Sequence, residues 1–492
     1  MSKSVVIIGS GFSGLSAAAF MAKEGWNVTV VEKNETAGGR ARQLKADGFT
    51  FDMGPSWYWM PDVFERFFQQ FNRNIEDYYT VERLDPSYRV YWNNGFSDIP
   101  ADYNDLKSLF ESFEKGSSLQ LDKYLHEAAD KYRIGMQQLV YKPGQSVTEF
   151  LDWQVVKNVF KLDVFTSIKK HIKKHFKNPR LQQLMEFPIL FLGALPENTP
   201  ALYSLMNYAD IKGGTWYPKG GMYSIVQAMQ QLAEELSVKF YFGEEASEII
   251  IEKGQAKKLI TNKGEHVADV IISGADYHFT ENYLLPEDSR SYTNQFWNKK
   301  VLAPSCLMYY IGLNRKIKNP IHHSLFFDVP FEKHALEIYA DPQWPSEPLF
   351  YLSVSSVTDD TVAPAGCENL VILIPVASGL EDDTDELRDR YFTLVMNRLE
   401  KHLGETVRDA IVYKKSLSVS DFIADYHSYK GNAYGLANTL FQTAIFRPSC
   451  QSKKVRNLFY TGQFTVPGPG VPPSLISGEV VSKQVIKHFN GK

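Results

Sequence analysis

The N-terminal turn constrains this chain more than any other feature. A short apolar, β-branched run, Ser4-Val5-Val6-Ile7-Ile8, leads straight into Gly9-Ser10-Gly11-Phe12-Ser13-Gly14. A helical pattern runs from Leu15 to Lys23, Gly25 closes it, and Asn27-Val28-Thr29-Val30-Val31 forms a second strand ending at Glu32. Unbroken apolar runs of this length read as strands buried on both faces. In such a turn Gly9 permits the tight bend, Gly11 lets a pyrophosphate approach the backbone, and Gly14 lets helix and strand pack closely. The helix N-terminus offers free N–H groups and a positive dipole end to phosphate. Glu32 stands where an acid accepts hydrogen bonds from a ribose diol, which disfavours a 2′-phosphate. Strand, turn, helix, strand and acid in this order specify a dinucleotide site, but nicotinamide and flavin enzymes share the pattern.

The residues beyond Glu32 separate the two. Gly38-Gly39-Arg40 places paired glycines and a cation where a nicotinamide fold would continue into a helix, a second backbone approach to a cofactor. "DGFTFDMGPSW", Asp47 to Trp57, adds a strand with a Gly54-Pro55 break beside it. The far end supplies a counterpart: a strand (Leu458 to Thr461), Gly462, a Pro/Gly loop, then a helix carrying Leu475, Val481, Val485 and Phe489. A helix N-terminus at Ser474 would face the electron-rich pyrimidine side of a reduced flavin.

Taken together, "VVIIGSGFSGLSAA", "VVEKNETAGGRAR", "DGFTFDMGPS", "GGTWYPKGGMYSIVQAM", "VTDDTVAPAGC", "GNAYGLANTLFQTAIFRP" and "NLFYTGQFTVPGPGVPPSLISG" resemble the bacterial-type phytoene desaturases. These belong to the wider clan of flavin amine oxidases and carotenoid desaturases. The resemblance spans Val5 to about Lys487. It implies FAD, contacted at Gly9, Ser10, Gly11, Ser13, Gly14, Glu32, Gly39, Arg40, Ala41, Gly54, Ala246, Gly462 and Val471. One departure is Val466, where relatives often carry a histidine before the Pro-Gly. The implied reaction is dehydrogenation of a long polyene, phytoene stepwise toward lycopene, with hydride passing to the flavin and a proton leaving the neighbouring carbon. Sister readings are desaturation of a hydroxylated or monocyclic carotenoid at its 3,4 position and a redox-neutral carotene isomerase. Quinone or oxygen is the expected electron acceptor.

At 492 residues the chain exceeds one compact core. The expected fold is α/β, a Rossmann-like FAD-binding domain built from 1–60, 211–300 and 429–492. A mixed α+β substrate domain interrupts it (301–428 with part of 61–150), as does a helical region, 151–210. "VKFYFGEEASEIIIEKGQAKKLITNKGEHVADVIISGAD" reads as a β-meander with turns at Gly254 and Lys263-Gly264. The content of 32 Phe, 27 Tyr and 8 Trp suits either a large apolar pocket or an aromatic core. A net charge of −4 gives no electrostatic case for nucleic acid.

Cys306, Cys367 and Cys450 lie far apart with no C-x-x-C, which argues against a zinc site, an iron–sulfur cluster or a disulfide framework and suits a reducing compartment. A strand at Ser4 leaves no room for a signal peptide, and no apolar run reaches spanning length. The expected location is cytoplasmic, peripheral on the cytoplasmic membrane face. The candidate contact is "DVFTSIKKHIKKHFK", Asp163 to Lys177, where Phe165, Ile168, Ile172 and Phe176 form one helical stripe among five lysines. A basic amphipathic helix of this kind lies in a bilayer interface or packs its stripe on its own core.

No metal-ligand, paired-carboxylate or Ser-His-Asp constellation is visible, so no metal is expected. Adjacent His322 and His323 would point to opposite faces of a strand. Trp57, Tyr58 and Trp59 are candidates to stabilise an allylic cation, or plain core aromatics. Asp421 in "SVSDF" is the acid to test as a base, with a capping role as the commoner reading.

Overall fold

In the computed structural model, residues 3–146, 149, 162–190 and 193–491 are described. Ser4–Ile8, Asn27–Val31, Lys239–Tyr241, Val270–Ser273 and Leu458–Tyr460 form one five-stranded sheet whose pairings are all parallel. Its strands come from three separate stretches of chain, and Ser4–Ile8 sits at the centre between Val270–Ser273 and Asn27–Val31. Every residue of Val5–Ile8 and Val270–Ser273 is buried, as expected for a sheet covered on both faces.

The first helix, Phe12–Lys23, begins where Gly11 caps it in an extended conformation. Its apolar side meets the C-terminal helix, Val471–Asn490, at a close crossing. A Cβ on Gly478 would lie 2.5 Å from the Ser13 carbonyl oxygen, so only glycine admits this approach. The C-terminal helix starts at Val471, three residues before the Ser474 expected from the sequence, with Pro472 and Pro473 in its first turn. Proline fits there because the first amides of a helix lack intrahelical partners.

From the stretches between the first and second and between the second and third contributions to this sheet the chain builds a second unit. A seven-stranded sheet runs in the order Ile411–Leu417, Ser305–Leu313, Glu368–Val376, Phe350–Ser353, His323–Phe327, Tyr88–Trp92, Phe96–Ile99. Strands from 88–99 thus join strands from 305–417. The expected meander is present as Ala246–Glu252, Gln255–Thr261 and Glu265–Val267, antiparallel throughout. It returns the chain to the parallel sheet at Val270.

The basic segment takes the opposite orientation from a bilayer-facing one. Its helix, Ile168–His175, buries Ile168 and Ile172, with Phe176 directly after it, all 0% exposed in the core beneath the seven-stranded sheet. Only Phe165 of the stripe is exposed. Lys169 pairs with Glu197 and Glu332. The part of the 151–210 region from 151 to 161 lies outside the described residues. Among the described residues no helix is long and apolar enough to cross a membrane.

Candidate active site

The parallel sheet ends at the turn Gly9–Gly14, and the site is built outward from there. Gly14 packs against the turn so tightly that a Cβ would sit 2.0 Å from the Gly9 carbonyl oxygen. Gly11, by contrast, would meet nothing within 4 Å, because its free side faces a cavity. Gly38 donates its N–H to the Ser10 carbonyl at 2.9 Å and brings Gly39 alongside Gly11. Gly54 lies against the Arg40 carbonyl, where a Cβ would intrude to 2.3 Å. The paired-glycine loop and the Gly54 break therefore fold onto the first turn.

The cavity so lined has a volume of about 390 Å³. At the nucleotide end its wall includes Gly9, Gly11, Ser13 and Glu32; Gly39, Arg40, Ala41 and Gly54 come next, and Ala246, Gly462 and Val471 close it. Ser10 and Gly14, also implied by the resemblance, stand behind this wall. The Ser10 amide and hydroxyl each donate to Glu32 Oε2 at 2.8 Å, and the Asn34 amide and Nδ2 each donate to Oε1 at 2.9 Å. Those four donors match the acceptor capacity of a carboxylate. A ribose diol reaching Glu32 would displace the rotatable donors, Ser10 Oγ and Asn34 Nδ2.

Arg40 is partly buried and donates through Nη2 to Ser428 Oγ at 3.0 Å and the Asn432 carbonyl at 3.3 Å, while its buried Nε has no partner in the protein. Burial lowers its pKa, opposed by Asp276. Asp276 caps the short helix after Val270–Ser273, accepting from the amides of His278 at 3.0 Å and Phe279 at 3.3 Å. Burial pushes its carboxyl up to about 6 against Arg40 and three backbone N–H groups. Sequence reasoning missed Asp276. The available signal was "VIISGAD", a buried strand running into Gly274 at the same edge as Gly9. An unpaired buried Arg40 Nε, an open side at Gly11 and a helix N-terminus at Val471 fit a dinucleotide with a charged, hydrogen-bonding body.

The other end is aromatic and apolar: Trp57, Trp59, Phe187, Met308, Tyr351, Leu373 and Tyr434. Tyr58 does not reach it, being fully buried with its hydroxyl 3.1 Å from that of Tyr79. Trp57 stacks on His323 at 4.2 Å and 12°. His323 pairs through Nδ1 with the Tyr351 hydroxyl at 2.7 Å, and burial holds the ring neutral. Phe187, Tyr351, Leu373 and Tyr434 also wall a second, small space of about 40 Å³ lined by Leu325, Phe327, Ile338, Leu349 and Phe350. Two polar groups there turn to backbone: Ser305 Oγ donates to the Gly431 carbonyl at 2.6 Å, and His334 Nε2 donates to that of Pro375 at 2.8 Å.

Asp421 does not line the cavity. It sits at the third position of helix Val419–Tyr426, accepts from the Ser418 amide at 2.8 Å and pairs with Arg388 at 2.8 Å. Its carboxylate is a helix cap, which removes it as the base.

Residues 12–486 match the family described as flavin containing amine oxidoreductase. A carotenoid 3,4-desaturase of Haloarcula japonica is 40% identical over 98% of both chains. A zeta-carotene-forming phytoene desaturase of Myxococcus xanthus is 31% identical over 98% of this chain and 93% of its own. Among solved structures, an oxidoreductase from Methanosarcina mazei superposes with a TM-score of 0.65 at 17% identity, covering 98% of this chain and 100% of that one, a likeness of fold.

Proposed function

Because the chain belongs to the flavin-containing amine oxidoreductases, and within them to the carotenoid desaturases, we propose that it dehydrogenates a carotenoid at the 3,4 position. It is an FAD-dependent oxidoreductase. The observation that carries the finer reading is the 40% identity to a carotenoid 3,4-desaturase over nearly both full lengths, against 31% for the phytoene desaturase.

FAD, when bound, accepts the hydride; the chain's residues do the rest. Glu32, Gly11, Arg40 and the N-terminus at Val471 would hold the cofactor. Trp57, Trp59, Phe187 and Tyr351 keep water from the reacting bond and hold the polyene extended. Their ring faces would stabilise developing positive charge by about 0.5–2 kcal/mol per contact. The proton lost from the neighbouring carbon passes to solvent water.

A second reading, stepwise desaturation of phytoene, is favoured by the largely apolar lining of the second space, where Ser305 and His334 turn to backbone. The two readings part when FAD-loaded protein in liposomes is given either a 3,4-saturated carotenoid or phytoene and products are resolved by chromatography and mass. Loss of two hydrogens from the first substrate, with phytoene untouched, is expected. A ladder from phytoene to lycopene with the first substrate untouched would reverse the assignment.

A further inference from the structure

Away from the cofactor cavity, two helices bring together three side chains of metal-binding type. His171 and His175 are four residues apart on the helix Ile168–His175, so both rings project from one face. They are 4% and 7% exposed. Glu127, on the neighbouring helix Ser117–Ile134, brings Oε2 to 3.6 Å from His171 Nε2. The ligand atoms of all three lie within 4.8 Å of one another. His171 Nε2 and both ring nitrogens of His175 have no hydrogen-bond partner in the protein. Buried polar groups without a partner carry an uncompensated desolvation cost, which a bound ion would relieve.

We infer that Glu127, His171 and His175 form a binding site for a zinc-class divalent transition metal, which ties the two helices together. Two histidines and one glutamate are a known three-ligand set for zinc, with a fourth position left to water. Ligand atoms around a tetrahedral zinc stand roughly 3.3 Å apart, given bonds of about 2.0–2.2 Å. The pair at 3.6 Å is already near that spacing, and all three ligand atoms stand within 4.8 Å of one another. Lys131, the nearest buried cation, is tied to Asp163 at 3.0 Å, which offsets its charge. Glu127 is half-exposed and opens a path for the ion.

The test uses tag-free, FAD-loaded full-length protein, stripped with a chelator and titrated with Co²⁺, then Zn²⁺. One equivalent of Co²⁺ with the intense visible bands of a tetrahedral site, displaced by one of Zn²⁺, is expected. Glu127→Gln, at a half-exposed position that leaves the core intact, should weaken Zn²⁺ binding at least tenfold. His171→Gln/His175→Gln should abolish it, while the exposed His126→Gln changes nothing. Absence of the Co²⁺ bands in the unmodified protein, or unchanged affinity in Glu127→Gln, would overturn the assignment even if the double variant failed to fold.

Discussion

Asp210 shows how one residue couples burial to pH. It is 4% exposed, accepts from the Tyr88 hydroxyl at 3.0 Å and Thr215 Oγ1 at 3.3 Å, and burial raises its carboxyl to about 7. A folded pKa above the unfolded 3.8 means its stabilising contribution is complete below pH 3.8 and lost as pH rises through about 7. The stability of the parent minus that of Asp210→Asn should therefore fall between about pH 4 and 8 in urea unfolding; a flat difference would refute this. The two turn glycines separate binding from folding. Gly11→Ala should keep the apoprotein's melting temperature and weaken FAD binding at least tenfold, because its Cβ enters the cavity. Gly14→Ala should lower apoprotein stability as well, since its Cβ meets the Gly9 carbonyl at 2.0 Å. Such glycine roles were legible in the sequence because a turn of this kind dictates its residues locally. Asp276 and Phe187 were not, because each reaches the cavity only through tertiary packing.

At the scale of elements, periodicity shows that a helix has an apolar side but not what covers it. The stripe Ile168, Ile172, Phe176 was visible; that it meets Phe110, Tyr124 and Leu181 in the core depends on helices far away in sequence. The same distance hid Glu127 from His171 and His175. Ile172→Asp should destabilise the fold by on the order of 3–5 kcal/mol, read as a collapsed melting transition. A folded Ile172→Asp variant with full stability would contradict the buried placement. The C-terminal helix was legible in its apolar spacing, while its start at Val471 was not, because proline in a first turn resembles a loop.

Across the whole molecule, one cavity joins the nucleotide turn to an aromatic wall, and a second space continues beyond Tyr351 and Leu373. On the proposed reading, those partitions set how far a substrate extends. Leu373→Trp should leave FAD content unchanged and shift preference toward shorter carotenoids, checked by competing substrates of different length; unchanged preference would separate the second space from the substrate path. The discontinuous parallel sheet was foreseeable from its first and last motifs, but the seven-stranded sheet mixes 88–99 with 305–417 and needed long-range pairing to be seen. The central claim is that this cavity couples carotenoid oxidation to a bound flavin. It is tested most directly by mixing FAD-loaded protein with a 3,4-saturated carotenoid without oxygen or quinone, and following flavin bleaching and product mass together. One flavin reduced for each double bond formed, with a loss of two hydrogens, is predicted. A product of unchanged mass with the flavin still oxidised would contradict it.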